Sequence, residues 1–197
     1  MFNTLKKGMA SLRSKGVKET LYWVHFGYLK VNKFILYRRE LDKSFPEVAQ
    51  GEDILIKQVS LQDLQKIREN HLKLSEEFFC DIYEGAKTCF VGFVGGKVAH
   101  IMWVFFAGDR SRFFDLKEKE AEINYGATLP EFRGLNLYPL TVRSICKWLK
   151  QNEYRWLYGA IHDKNVNAIR AIGKCGFEKI GAIKHISVWR PKWKGNP

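Results

Sequence analysis

The segment Pro130-Glu131-Phe132-Arg133-Gly134-Leu135-Asn136-Leu137-Tyr138 is the stretch of this chain best equipped for chemistry. It leads from a polar strand into a helix that the next residue, Pro139, suits at its first position, where a missing N–H forfeits no hydrogen bond. A strand, a tight turn and a helix N-terminus leave backbone N–H groups pointing outward, and the helix dipole favours negative charge there. With a cation at its head, the turn from Arg133 to Tyr138 is expected to hold an anion. The preceding strand, residues 121–128, alternates Ala121, Ile123, Tyr125 and Ala127 on one face with Glu122, Asn124, Gly126 and Thr128 on the other. A central strand is normally apolar on both faces, so a polar face carrying Glu122 suggests a cleft. His162, at the expected end of the next strand, adds a group that titrates at about 6.5 when unperturbed. Asn165 follows in a position suited to a helix N-cap.

The elements that must position these groups follow from pattern. Residues 54–59 read as a short strand. Ser60 with Asp63 resembles a helix cap, and Leu61, Leu64, Ile67, Leu72 and Leu74 give an apolar face to a helix over 61–74. A second short helix is predicted over 75–83. Residues 88–94 and 97–106 are apolar runs joined by Gly95-Gly96, a hairpin signal, and 107–119 is a charged loop. The helix after the turn is expected to reach Gln151 with Leu140, Ile145, Trp148 and Leu149 inward. Residues 155–161 form a strand, 165–174 a helix ended by Gly176-Phe177, and 177–180 and 183–189 two closing strands. The pattern is mixed α/β with short connections.

Composition bounds the rest. At 197 residues with 14% aromatic content the chain can build one domain with a core, and its net charge of +12 suits an anionic partner. Half of that excess lies in residues 1–50, which hold ten Lys/Arg against four Asp/Glu. Phe2, Leu5, Met9 and Leu12 fall at helical spacing among lysines, which reads either as an amphipathic helix on an anionic membrane or partner, or as an extension packed on the domain itself. Residues 33–41 look like a strand, and 42–53 like a linker. We therefore divide the chain into an N-terminal extension, 1–50, and a domain, 51–197. The apolar run 21–37 is interrupted by His25, Lys30 and Lys33, which argues against a membrane span. No secretory signal is evident. Cys80, Cys89, Cys146 and Cys175 are scattered, without C-x-x-C spacing or a nearby His, and read as reduced buried thiols in a cytoplasmic protein; no metal is expected.

The stretch 128–181 resembles the two signature motifs of the GCN5-related N-acetyltransferase (GNAT) superfamily. Pro130, Glu131, Arg133 and Gly134 match P-E-x-R-G-x-G-x-G/A, and Asn165, Ala168, Gly176 and Phe177 match the second motif, N-x-x-A/S with a helix ending in G-F. The chain departs at Asn136 and Tyr138, where the family has small residues, although Asn tolerates the left-handed backbone that a glycine would supply. Residues 54–106 match only as an order of elements, and 1–50 do not match. The resemblance implies a GNAT-like fold, with a central, mostly antiparallel sheet of six or seven strands flanked by helices. It also implies acetyl-CoA as co-substrate, its pyrophosphate on Arg133, Gly134, Leu135, Asn136, Leu137 and Tyr138. The pantetheine arm would pair with strand backbone near Gly126 and Thr128, freed where this strand diverges from the next, and Asn165 would reach the arm.

The reaction so implied moves an acetyl group to a primary amine, which titrates at about 10 and needs a base at neutral pH. Glu122 is the leading candidate, and His162 the second. Many members place a Tyr, as acid for the departing thiolate, where this chain has Ile172; Tyr138 or Tyr158 would have to substitute, unless no acid is needed. The expected acceptor is a small-molecule amine, such as an amino sugar or cell-surface precursor, with peripheral membrane contact through the extension and without nucleic acid. The competing reading is a non-catalytic module that binds CoA, a membrane or nucleic acid. Oligomeric state is left open.

Overall fold

The computed structural model describes residues 31–71 and 73–186. Strand β1, Val31–Glu40, shows the rule on which the sheet is built. Phe34 and Leu36 pack on Phe113 and Phe114 on one face, while Ile35 and Tyr37 pack with Ile161 and Ile172 on the other. A strand apolar on both faces belongs inside a sheet. β1 accordingly pairs antiparallel with both β6 (Trp156–His162) and β7 (Glu178–Ile186).

The remaining strands are β2 (Ile54–Val59), β3 (Thr88–Val94), β4 (Lys97–Phe106) and β5 (Glu120–Thr128). They complete one seven-stranded sheet in the order β2-β3-β4-β5-β6-β1-β7, antiparallel throughout except for β5 and β6. The division expected at residue 50 does not follow the sheet: the described part of the supposed extension, 31–50, opens with an interior strand, β1, and continues as turn and irregular chain from 41 to 50. The two closing strands expected after Phe177 are one, β7, with a bulge opposite Leu36 and Tyr37. The expected N-terminal amphipathic helix and the end of the last strand lie outside the described residues.

Helix α1 (Leu61–Glu69) begins as its sequence predicts, with Ser60 Oγ accepting the Asp63 N–H at 3.1 Å. It is shorter than expected, and Asn70 ends it. A 3-10 turn, Glu76–Phe79, and helix α2 (Cys80–Glu84) follow. Phe78, Leu64 and Trp103 pack together on this side of the sheet. Helix α3 (Leu137–Gln151) covers the opposite face, packing Val142, Ile145 and Leu149 against residues of β3, β4 and β5, with Leu140 also buried. Helix α4 (Val166–Gly173) lies beside it, with Ile172 inward. Among the described residues no helix is long and apolar enough to cross a membrane.

Arg39 holds the N-terminal strand to the far end of the chain. Its guanidinium is 3% exposed and donates to the carbonyls of Cys175 (2.8 Å) and Gly176 (3.1 Å), and to those of Lys43 and Ser44 (2.9 Å each). The first two lie just past the C-terminal end of α4, where the helix dipole also favours a cation. Gly176 adopts φ +69°, and a Cβ there would run into this guanidinium. Its glycine thus serves both a left-handed turn and a close approach.

A bulge in β5 sets the site. Ile101 pairs with Ala127 and Trp103 with Asn124, so Tyr125 and Gly126 together stand opposite Met102. Tyr125 takes φ +50° to make room. The extra residue reverses the alternation, as a bulge must. Before it, Ile123 faces α3; after it, Tyr125 and Ala127 pack with Trp103 and Phe105 on the other face. Gly126 now faces α3, where a Cβ would stand 3.0 Å from Met102 Cε. The uniform alternation expected over 121–128 is corrected accordingly.

Candidate acyl-CoA site

The turn is built as an anion cradle. After a 3-10 turn at Pro130–Phe132, Gly134 takes φ +87° and Asn136 takes φ +56°, ψ +25°. Asn136 therefore does fill the left-handed position, and its Oδ1 lies 3.4 Å from Lys174 Nζ rather than capping the helix. Helix α3 starts at Leu137, so Pro139 stands third rather than first; it still removes one N–H that would otherwise need a partner. The N–H groups of Gly134, Leu135, Asn136, Leu137 and Tyr138 have no hydrogen-bond partner among the described residues. All of these residues except Leu135 line a groove of about 810 Å³ whose described lining also includes Arg133, Arg170 and Lys174 against one carboxylate, Glu77.

The groove continues into a wedge between strands. β5 and β6 are paired only from Glu120/Trp156 to Ile123/Gly159; beyond that β5 stays with β4, while β6 follows β1. The backbone edges so released flank a cavity of about 190 Å³. Gly126, Tyr138, Asn165 and Ala168 line both spaces. The divergence implied by the resemblance is thus present, and it begins at Asn124, two residues earlier than Gly126.

Each expected residue can now be placed. Thr128 lines the larger groove, with its Oγ1 2.7 Å from Nδ1 of His100. Asn165 caps α4 through its Oδ1, which accepts the Ala168 N–H at 3.1 Å, and still lines both cavities. Tyr138 packs between α3 and the sheet, among Ile123, Met102 and Ile172. Burial raises its phenol well above the ordinary range, so it stays protonated, a hydrogen-bond donor but a weak acid. Tyr158 is directed elsewhere: its hydroxyl donates to Glu120 at 3.1 Å, and burial pushes it up to about 12.

The two candidate bases are less available than their sequence positions suggest. The expectation that Glu122 faces an open cleft is corrected. It is wholly buried beneath the 107–119 loop, accepting from Ser111 Oγ at 2.5 Å and from Asn124 Nδ2 at 3.2 Å. It lines neither cavity. His162 does line the smaller one, but its Nδ1 accepts the Lys164 N–H at 3.1 Å. That bond assigns the proton to Nε2, which lies 3.2 Å from Asn32 Oδ1 and donates to it.

Three participants were not singled out from sequence. Asn124 and Tyr125 line the wedge because of the bulge, which no residue pattern announces. His100 is wholly buried on β4 and meets the Tyr138 ring edge-on at 6.3 Å. Its Nε2 has no partner among the described residues, and burial pushes the imidazole down to about 3. It therefore holds Thr128 as a neutral ring. A single His in an otherwise apolar strand was the available signal.

A split parallel strand pair beside an uncapped helix N-terminus defines a fold of the acetyltransferase class. The chain belongs to the acetyltransferase (GNAT) family, whose sequence model matches residues 38–177. No curated protein matches it at a significant level. A GNAT-family protein from Novosphingobium aromaticivorans is similar in fold, with TM-score 0.55 and 16% identity over 80% of this chain and 64% of that one. So is an acetyltransferase of the family from Colwellia psychrerythraea, at 0.55 and 16% over 81% of this chain and 57% of that one. A GCN5-related N-acetyltransferase from Sphaerobacter thermophilus gives 0.56 and 10%, over 91% and 59%. The chain thus spans less than two thirds of each of these structures, and at such identities the likeness is one of fold.

Proposed function

We propose that the protein transfers an acyl group, most simply acetyl, from acyl-CoA to the primary amine of a small molecule. The observation that carries this reading is the run of unpartnered N–H groups from Gly134 to Tyr138, set among Arg133, Arg170 and Lys174 at the mouth of the wedge. Such a cradle fits a pyrophosphate, and the wedge edges fit an amide-bearing arm. Transfer is direct. All four cysteines are buried and free, and burial pushes Cys80, Cys89 and Cys175 up to about 12 and Cys146 up to about 11, so none supplies a thiolate.

With Glu122 covered and the Nδ1 of His162 engaged, this chain's part is to bind and orient, while the acceptor supplies its own neutral fraction. Tyr138, held protonated beside the wedge, is placed to donate a hydrogen bond to the departing thiolate, which can leave without taking the proton. An amino sugar or cell-surface precursor, met in the cytoplasm, remains our proposal for the acceptor, with membrane contact through the basic N-terminal extension, 1–50. The same covered bases favour a second reading, a CoA-binding module without turnover. The test is to incubate the protein with acetyl-CoA and a panel of primary amines, following both free thiol and thermal unfolding. Thermal protection by CoA with thiol release from at least one amine class supports transfer. Protection without release from any class selects the binding module, and no protection well above any plausible dissociation constant defeats both.

A further inference from the structure

On the sheet face turned away from α3, beside Phe34 and Phe113, the structure presents a further cation, outside the lining of the larger groove. Phe34 of β1 lines the smaller cavity, meeting the His162 ring at 5.3 Å and the Phe113 ring at 4.5 Å. The guanidinium of Arg112, in the loop between β4 and β5, lies 5.5 Å from the centroid of each of those two phenyl rings. Tyr125 also lines this cavity; burial, together with Glu84, pushes its phenol up to about 12, and the nearby Arg112 charge acts in the opposite direction. Phe34 and Tyr125 belong to clusters on the sheet face opposite α3 and α4. Arg112 thus neighbours Phe34 and Tyr125, two residues of the smaller cavity's lining, while Arg133, Arg170 and Lys174 line the larger groove.

Arg112 has no ion pair and no hydrogen bond among the described residues. Two aromatic rings nevertheless flank its guanidinium, which limits the side chain's freedom and lowers the entropic cost of using its donors. A partly exposed guanidinium of this kind is suited to a carboxylate or phosphate, which it can meet with paired N–H donors. We propose that the acceptor amine carries an anionic group and that Arg112 receives it, making this residue a determinant of acceptor specificity. The proposal rests on the transfer reading above and names the chemistry of its second substrate. The covered Glu122 and the engaged His162 fit it as well, because an acceptor positioned at both ends depends less on a dedicated base.

The experiment compares amines in pairs that differ in charge. Glycine is set against glycinamide, β-alanine against β-alaninamide, and glucosamine 6-phosphate against glucosamine, each with saturating acetyl-CoA and thiol release as the readout. The carboxylate and phosphate pairs separate the two sources of the anion. In the productive pair the charged member is expected to exceed the neutral one in kcat/KM by at least about tenfold, and Arg112→Gln to reduce that ratio below about threefold. Arg112→Lys, which keeps the charge but not the paired planar donors, should restore part of it. Protection by CoA reports whether each variant is folded; if Arg112→Gln is not, the wild-type ratio decides alone. Equal or better turnover of the neutral member in every productive pair overturns the proposal and leaves the transfer reading standing, as does an unchanged ratio in a CoA-protected Arg112→Gln. Absence of thiol release from every amine overturns both.

Discussion

Gly134→Glu is expected to lose CoA binding, and with it acyl transfer, while the unliganded protein still folds. A Cβ at this position meets no heavy atom within 4 Å, so the folded chain has room for a side chain. The cost to folding is the φ of +87°, which a non-glycine residue adopts at about 1–2 kcal/mol. The cost to binding is larger. The new carboxylate enters the space faced by the unpartnered N–H groups and repels the phosphates they are to hold. Two like charges at about 5 Å, with an effective dielectric constant of about 20, repel by roughly 3 kcal/mol, or about two hundredfold in affinity. Gly134→Ala shares the strain without the charge and is expected to lose only a fraction of that. The measurement is a titration of CoA monitored by heat or fluorescence. Equal affinities for wild type and the glutamate variant would place the phosphates elsewhere.

Arg39→Met is expected to remove much of the protein's stability and to lower its urea midpoint sharply. The guanidinium serves four carbonyls, those of Lys43, Ser44, Cys175 and Gly176, and no other side chain replaces it. Hydrogen bonds to a charged donor are worth about 1.5–3 kcal/mol each, and losing a buried partner leaves the remaining groups desolvated. Since some of these carbonyls are partly exposed, water recovers part of the loss, and a net cost of about 4 kcal/mol is expected. That is most of the stability of a protein at the lower end of the usual range, about 5–15 kcal/mol. Urea unfolding followed by circular dichroism reads it directly. Arg39→Lys, whose single ammonium cannot reach both pairs of carbonyls, should fall between the two. A midpoint unchanged in the methionine variant would mean that β1 is held to β7 by strand pairing alone.

The parts of this site that were legible in the sequence are those written in local chemistry. Asn136 can adopt a left-handed backbone, Asn165 can cap a helix, Gly95-Gly96 can close a hairpin, and each does so within a few residues of itself. What was not legible depends on partners far along the chain. The bulge at Tyr125 arises from the fit of β5 to β4 and reverses the faces on which Glu122 and Thr128 stand, although period-2 alternation would place them together. Glu122 looked accessible because a polar residue on a strand suggests a cleft, yet Ser111, from a loop rich in charge, covers it. Val31–Glu40 read as part of an appendage because its neighbours in sequence are basic. Its own alternation of Phe34 and Leu36 with Ile35 and Tyr37 already required two covered faces. Arg112 carried no signal at all, since a lone arginine in a charged loop is ordinary until Phe34 and Phe113 are found beneath it.

The central claim is that the backbone from Gly134 to Tyr138 holds the pyrophosphate of acyl-CoA. Backbone amide NMR with titrated CoA tests it most directly, because those N–H groups report their own hydrogen bonds. The amides of Gly134, Leu135, Asn136, Leu137 and Tyr138 should show the largest shifts and become protected from solvent exchange, with smaller changes at Asn124 and Gly126 along the wedge. Shifts of those five amides no larger than the average for the domain, at CoA concentrations that saturate binding, would contradict the account.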